Sequence, residues 1–277
     1  MYDFNWDLPF SLGLNQNTFA LIFNIGIPIV YFLCFGFLYK KLRNFEKGAP
    51  FYDFVKSLVY FFFFYGLGAA FFVWYDFFYM DFVSANPLPS MINTFDPPQP
   101  SLTISMQSVQ LWKIGNLLQN VGLLLMLNQL RGKVFRKKYM NVLPVVWQLV
   151  GITSMIMIGL VFLTDSPEAA LFWSEVNYLF NFIWSISLPL TYRFIWKQSA
   201  GKLKRYAGIL YVCLIIYGLS WGFRTRFAVH LWWKLFGWLG SANPFDYRFL
   251  WLVRSISIDL NILLVFIAYR KLLATFK

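Results

Sequence analysis

The chain has 277 residues, 59% hydrophobic and only 13% charged, with a formal net charge of +12. That balance excludes an ordinary soluble domain, which would expose too much apolar surface and too few charges to stay dispersed. It also argues against nucleic acid as the partner of the positive charge. The basic residues sit in short segments between long apolar runs, the pattern that orients a chain in a membrane.

The N-terminal stretch MYDFNWDLPFSLGLNQNT has no basic segment and no small-residue cleavage site behind a short apolar core. No removable signal peptide is expected, and the first helix would act as an uncleaved one. Seven apolar runs follow, over about 18–39, 55–79, 106–130, 141–163, 169–195, 206–223 and 248–270. Each is long enough to cross roughly 30 Å of hydrocarbon at about 1.5 Å per residue. They are continuously apolar rather than alternating, so helices are predicted and not a β-barrel.

In chain order, FALIFNIGIPIVYFLCFGFLY is followed by Lys40, Lys41, Arg43, Lys47 and Lys56. The second run carries Gly66, Gly68, Ala69 and Ala70, which permit close helix approach, and Asp76 near its outer end. The proline-rich stretch MDFVSANPLPSMINTFDPPQPSLTIS reads as an exterior loop without a long helix. After the third run comes RGKVFRKK, and after the fifth a segment with Arg193, Lys197, Lys202, Lys204 and Arg205. The sixth run leads into RTRFAVHLWWKLFGWLGSANPFDYR, in which aromatic and basic residues mix as in a short amphipathic helix lying in the interface. Pro28, Pro144 and Pro189 are expected to kink the first, fourth and fifth helices.

Alternate connections carry the cations, and Arg270, Lys271 and Lys277 add to the same face. The opposite face has Asp3, Asp7, Asp81, Asp96, Asp165 and Glu168, with Arg224, Arg226, Lys234 and Arg248 confined to the last connection. The predicted fold is therefore an all-α membrane protein, one seven-transmembrane helix bundle over 1–277. Its N-terminus lies outside and its C-terminus in the cytoplasm of a multi-pass cell-membrane protein.

Few charges fall inside the runs, namely Asp76, Lys113, Glu175, Arg254 and Asp259. A charge facing lipid is costly, so these groups are expected to turn inward. Lys113, Asn116 and Asn120 are spaced i, i+3, i+7 and share a face of the third helix. Ser174, Asn177, Asn181 and Ser185 form a stripe on the fifth, and Ser255 and Asp259 are i, i+4 on the seventh. Gln148 on the fourth joins more weakly. The candidate ligand-binding residues are Lys113, Asn116, Asn120, Glu175, Asn177, Asn181, Arg254, Ser255 and Asp259. They are expected to line a polar cavity open to the exterior, with Asp259 as its floor, hydrogen-bonded to Ser255. The alternative is hydrogen bonding that only holds helices together, each bond giving roughly 1 kcal/mol.

No nucleotide loop, nucleophile elbow or zinc spacing is present, and His230, Cys34 and Cys213 cannot build a usual metal or haem centre. No enzyme, metal or cofactor is expected. Seven helices with an exterior N-terminus look like rhodopsin-type receptors in topology, but the last helix carries Arg254 and Asp259 in place of a mid-helix lysine. The stretches FFFFYGLGAAFFVWYDFF and LWKIGNLLQNVGLLLMLNQLRGK resemble the seven-transmembrane sensor regions of archaea and bacteria, including those fused to histidine kinases. That resemblance, over under a fifth of the chain, implies sensing of an exterior or membrane-borne cue. No output domain is expected, so the resemblance implies a separate cytoplasmic signalling partner. The partners expected are the lipid bilayer, a small-molecule or lipid ligand, and that cytoplasmic protein. Two other functions stay open: a small transporter or channel subunit using Asp259 and Lys113, and a structural subunit of a membrane complex.

Overall fold

The computed structural model describes residues 16–47, 50–79, 106–133, 142–164, 167–222 and 247–274. The N-terminal tail, the exterior loop expected between the second and third runs, and the amphipathic helix expected before the seventh lie outside these residues. Among the described residues the chain is all-helical. The helices are α1 (Gln16–Leu42), α2 (Pro50–Tyr79), α3 (Met106–Lys133), α4 (Val142–Leu163), α5 (Pro167–Gln198), α6 (Gly201–Gly222) and α7 (Tyr247–Leu273).

Several helices outrun the apolar runs that predict them. α1 continues through Lys40 and Lys41, and α7 through Arg270 and Lys271. A backbone leaving hydrocarbon keeps its internal hydrogen bonds, and cations in a last turn also oppose the negative end of the helix dipole. Pro28 and Pro189 lie inside α1 and α5. Pro144 does not lie in a helix interior as expected. It sits in the first turn of α4, where its missing N–H would have had no intrahelical partner. Only Ser199 and Ala200 separate α5 from α6, and Gly201 begins α6 at a φ of 59°, a left-handed turn that L side chains resist.

Each helix packs on the next in sequence, and α7 closes onto α1. The α2–α3 interface is the most extensive. Glycine is the reason: a Cβ placed on Gly68 would lie 2.6 Å from Gln119 Cγ and 2.7 Å from the Gly115 carbonyl oxygen. Ring contacts fix direction. Tyr31 meets Tyr65 and Phe35 meets Phe63, so α1 and α2 are antiparallel. Gly26 meets Asp259 and Phe37 meets Phe266, so α1 and α7 run parallel.

The interior is a mostly apolar core built around Tyr31, Phe62, Leu123, Leu210 and Ile258, with polar groups buried beside it, and the exterior is apolar too. Lys113, Asn116, Asn120, Asn177, Ser255 and Asp259 are all buried, while Leu33, Leu149, Ile152, Ile156, Leu219 and Leu264 are exposed. Among the described residues, three helices are long and apolar enough to cross a membrane, over Ile22–Leu42, Tyr52–Trp74 and Gly201–Ser220. α3 dilutes its apolar run with Lys113, Asn116, Gln119 and Asn120, yet all four face inward. Thr153, half-buried on α4, returns its hydroxyl to the Leu149 carbonyl at 2.7 Å, which satisfies the donor within its own helix.

Two tyrosine pairs tie together helices that are not consecutive. Tyr31 on α1 hydrogen-bonds Tyr217 on α6, and Tyr192 on α5 hydrogen-bonds Tyr269 on α7 at 2.5 Å. Tyr192 and Tyr269 are buried, so neither hydroxyl has water to fall back on. Tyr192→Phe and Tyr269→Phe are each expected to cost about 1–2 kcal/mol. The double variant should cost little more than either single one, a coupling of about 1 kcal/mol in a double-mutant unfolding cycle.

Candidate functional site

The third-helix stripe faces α4 and α5. Asn120 Nδ2 donates to Asn177 Oδ1 on α5 at 2.9 Å and to Ser154 Oγ on α4 at 3.2 Å. Ser154 Oγ donates in turn to Asn177 Oδ1 at 3.3 Å. Three helices thus meet through three side chains, each 1% exposed or less. Two turns toward the N-terminus of α3, Lys113 is fully buried, with its ammonium 5.8 Å from the centre of the Phe162 ring on α4. An ammonium over an aromatic face gains electrostatic stabilisation, about 2 kcal/mol when desolvated. Asn116 is buried between these two levels.

The seventh-helix residues occupy a different seam. Asp259 turns toward α1, where a Cβ on Gly26 would lie 2.7 Å from its Oδ2. The space a side chain would fill on α1 is therefore filled by a carboxyl group from α7. The bond expected from Ser255 to Asp259 is not formed, because Ser255 Oγ is buried without a hydrogen-bond partner among the described residues. Both residues sit on one face of α7 as their spacing requires, but Asp259 leans into the gap at Gly26. Glu175, Asn181 and Arg254 belong to described helices, and their side chains lie outside the described residues. Gln148 is exposed on α4 and does not join the interior set.

No family model, curated protein or solved structure matches this chain. What the arrangement can do is therefore read from its chemistry. The α3–α4–α5 seam offers amide and hydroxyl groups plus one ammonium. The α1–α7 seam offers a carboxyl group. A third polar seam joins α6 and α7. Ser220 and Ser257 share a hydrogen bond of 2.6 Å, and Asn261 Nδ2 donates to the Ser257 carbonyl at 2.7 Å. These groups bind by hydrogen bonds and charge.

Ser154, Ser220, Ser257 and Asn261 were not among the residues expected from sequence. Ser257 and Asn261 are spaced i, i+4, so the same periodicity test that finds Ser255 and Asp259 marks them. Ser220 stands alone in its run, and Ser154 has no polar companion at i±3, i±4 or i±7 in its own, so no spacing singles them out. Gly26 is a single glycine whose role appears only once α7 is packed beside it.

The Gly26–Asp259 contact is directly testable. Gly26→Ala is expected to destabilise the fold by about 1–3 kcal/mol, because a short buried carboxyl group has little room to retreat. Adding Asp259→Ala should recover most of that loss in thermal unfolding. Full additivity of the two substitutions would place the carboxyl group elsewhere.

Proposed function

We propose that the protein is a receptor- or sensor-like membrane protein of seven spans, with its N-terminus outside and its C-terminus in the cytoplasm. Its ligand would be met by polar side chains held within the bundle. The observation that carries this reading is the burial of polar groups within an apolar exterior. Amides and an ammonium are buried in the α3–α4–α5 seam and a carboxyl group in the α1–α7 seam, inside a perimeter of exposed Ile and Leu. Groups so costly to bury persist where they serve a site.

Orientation is supported by charge. Lys40, Arg43, Lys197, Lys202, Lys204 and Arg270 are exposed at one set of helix ends, as cytoplasmic cations would be. The same basic face is where a separate signalling protein would dock. The likeness of the second and third runs to prokaryotic sensor regions supports the same assignment. Ligand binding would redistribute the bundle between two packings, and α4 is the natural moving element. The α3–α4 interface is the least extensive between consecutive helices, so it costs least to shift.

The test uses the whole chain in lipid nanodiscs and in proteoliposomes. A panel of small polar molecules and lipids should contain a compound that raises the unfolding midpoint saturably, with no solute or proton flux. Flux that Asp259→Asn abolishes would replace this reading with a transporter. Loss of fold except in the presence of a fixed co-purifying partner would replace it with a structural subunit.

A further inference from the structure

We infer that the α3–α4–α5 seam seats a small uncharged group bearing a hydrogen-bond donor beside an acceptor, of the carboxamide, urea or lactam type, between Asn120 and Asn177. The inference rests on the receptor reading above and names its ligand chemistry. Asn120 and Asn177 are 1% and 0% exposed, and each amide uses only one of its two polar atoms. Asn120 Oδ1 and Asn177 Nδ2 have no hydrogen-bond partner among the described residues. Most buried polar side-chain atoms in proteins are paired, so two orphans on directly bonded neighbours call for an explanation.

The two orphans are of opposite kind. Asn120 Oδ1 accepts only, and Asn177 Nδ2 donates only. A carboxylate placed between them would meet one donor and be repelled by the Asn120 oxygen. An ammonium would meet one acceptor and be repelled by the Asn177 N–H. A neutral amide presents its N–H to Asn120 Oδ1 and its carbonyl to Asn177 Nδ2, satisfying both. Ser154 locks the two amides into matched orientations, since its hydroxyl accepts from Asn120 Nδ2 and donates to Asn177 Oδ1. Turning one amide over without the other would break those bonds, and turning both together would still leave one donor and one acceptor unpaired side by side.

Acetamide is the probe, with N,N-dimethylacetamide as the control that keeps the carbonyl and lacks the N–H. In nanodiscs, acetamide should raise the unfolding midpoint saturably, by about 3 °C at roughly ten times its dissociation constant. Dimethylacetamide should give no saturable rise. Asn120→Leu and Asn177→Leu should each abolish the acetamide effect, while Asn24→Leu on α1 should leave it. Solid-state NMR of the unaltered protein with labelled acetamide gives a second reading that needs no variant to fold. Through-space transfer from the probe to the Asn177 side chain is the expected result.

Equal shifts from the two probes, a shift that persists in Asn120→Leu, or no transfer to Asn177 at saturating acetamide would each overturn the seat and leave water as its occupant. A panel ligand whose stabilisation survives both leucine variants would also sink the seat, with the receptor reading left standing. Acetamide binding accompanied by carrier-mediated flux of acetamide would sink the receptor reading and leave the seat.

Discussion

Replacing Gly68 with alanine is expected to destabilise the protein by about 3 kcal/mol or more, the largest effect of any single methyl group added to the bundle. The added carbon would lie 2.6 Å from Gln119 Cγ and 2.7 Å from the Gly115 carbonyl oxygen. A side chain can turn aside, but a backbone carbonyl cannot, so α2 and α3 would have to separate along their most extensive interface. Gly115→Ala should behave alike, since its Cβ would lie 2.7 Å from Phe72 Cε1 and 3.1 Å from the Gly68 carbonyl oxygen. Gly36 and Gly159 are the controls. Nothing lies within 4 Å of a Cβ at either position, and alanine is the better helix former by about 1 kcal/mol. Thermal unfolding in nanodiscs should therefore show Gly36→Ala and Gly159→Ala unchanged or stabilised. Similar losses at all four glycines would mean that helix propensity, not the α2–α3 approach, sets the outcome.

The second large effect concerns the perimeter. Ile156→Asp, in the body of α4, is expected to cost about 2.5–3.5 kcal/mol and to reduce the yield of folded protein sharply. Ile156 is 57% exposed and makes no demand on core packing that would explain such a loss. The cost arises only if the solvent at that face is hydrocarbon. On a water-exposed surface the same change falls within about 0.5 kcal/mol of neutral. Leu264→Asp, on the exposed face of α7, should repeat the effect, and Lys204→Asp at the exposed start of α6 should not.

Much of the helical framework was legible in the sequence because a bilayer leaves few choices. A continuous apolar run must satisfy its backbone internally, so each run in this chain falls on a helix. The inward direction of Lys113, Asn116 and Asn120 was legible for a related reason: spacing of i, i+3, i+7 fixes one face, and a polar face avoids lipid. Periodicity says nothing of the neighbour that the face meets. It could not show that Asn120 bonds Ser154 and Asn177, or that Lys113 lies over Phe162.

Asp259 shows the limit most clearly. Its spacing from Ser255 is right for a hydrogen bond, but a carboxyl group goes where packing leaves room, and the room is at Gly26. A glycine in an apolar run marks a close approach without naming what approaches. Gln148 shows the converse error. A lone amide without a periodic companion gives no face, and it lies on the exposed side of α4. Pro144 was expected to bend α4, whereas helix start signals and kink signals are the same residue read at different distances from the end.

The claim beneath all of this is that the bundle holds its polar groups inside and turns its exposed Ile and Leu toward acyl chains. Nitroxide labels on single cysteines at Leu33, Ile156 and Leu264, with Lys204 as the aqueous reference, test it in lipid nanodiscs. The native Cys34 and Cys213 are buried and should label slowly. Molecular oxygen concentrates in hydrocarbon, and a charged nickel chelate stays in water. Strong relaxation by oxygen and weak relaxation by nickel at the three apolar positions, reversed at Lys204, is the expected result. Nickel relaxation at Leu33, Ile156 and Leu264 as strong as at Lys204 would put that perimeter in water and contradict the membrane-embedded bundle.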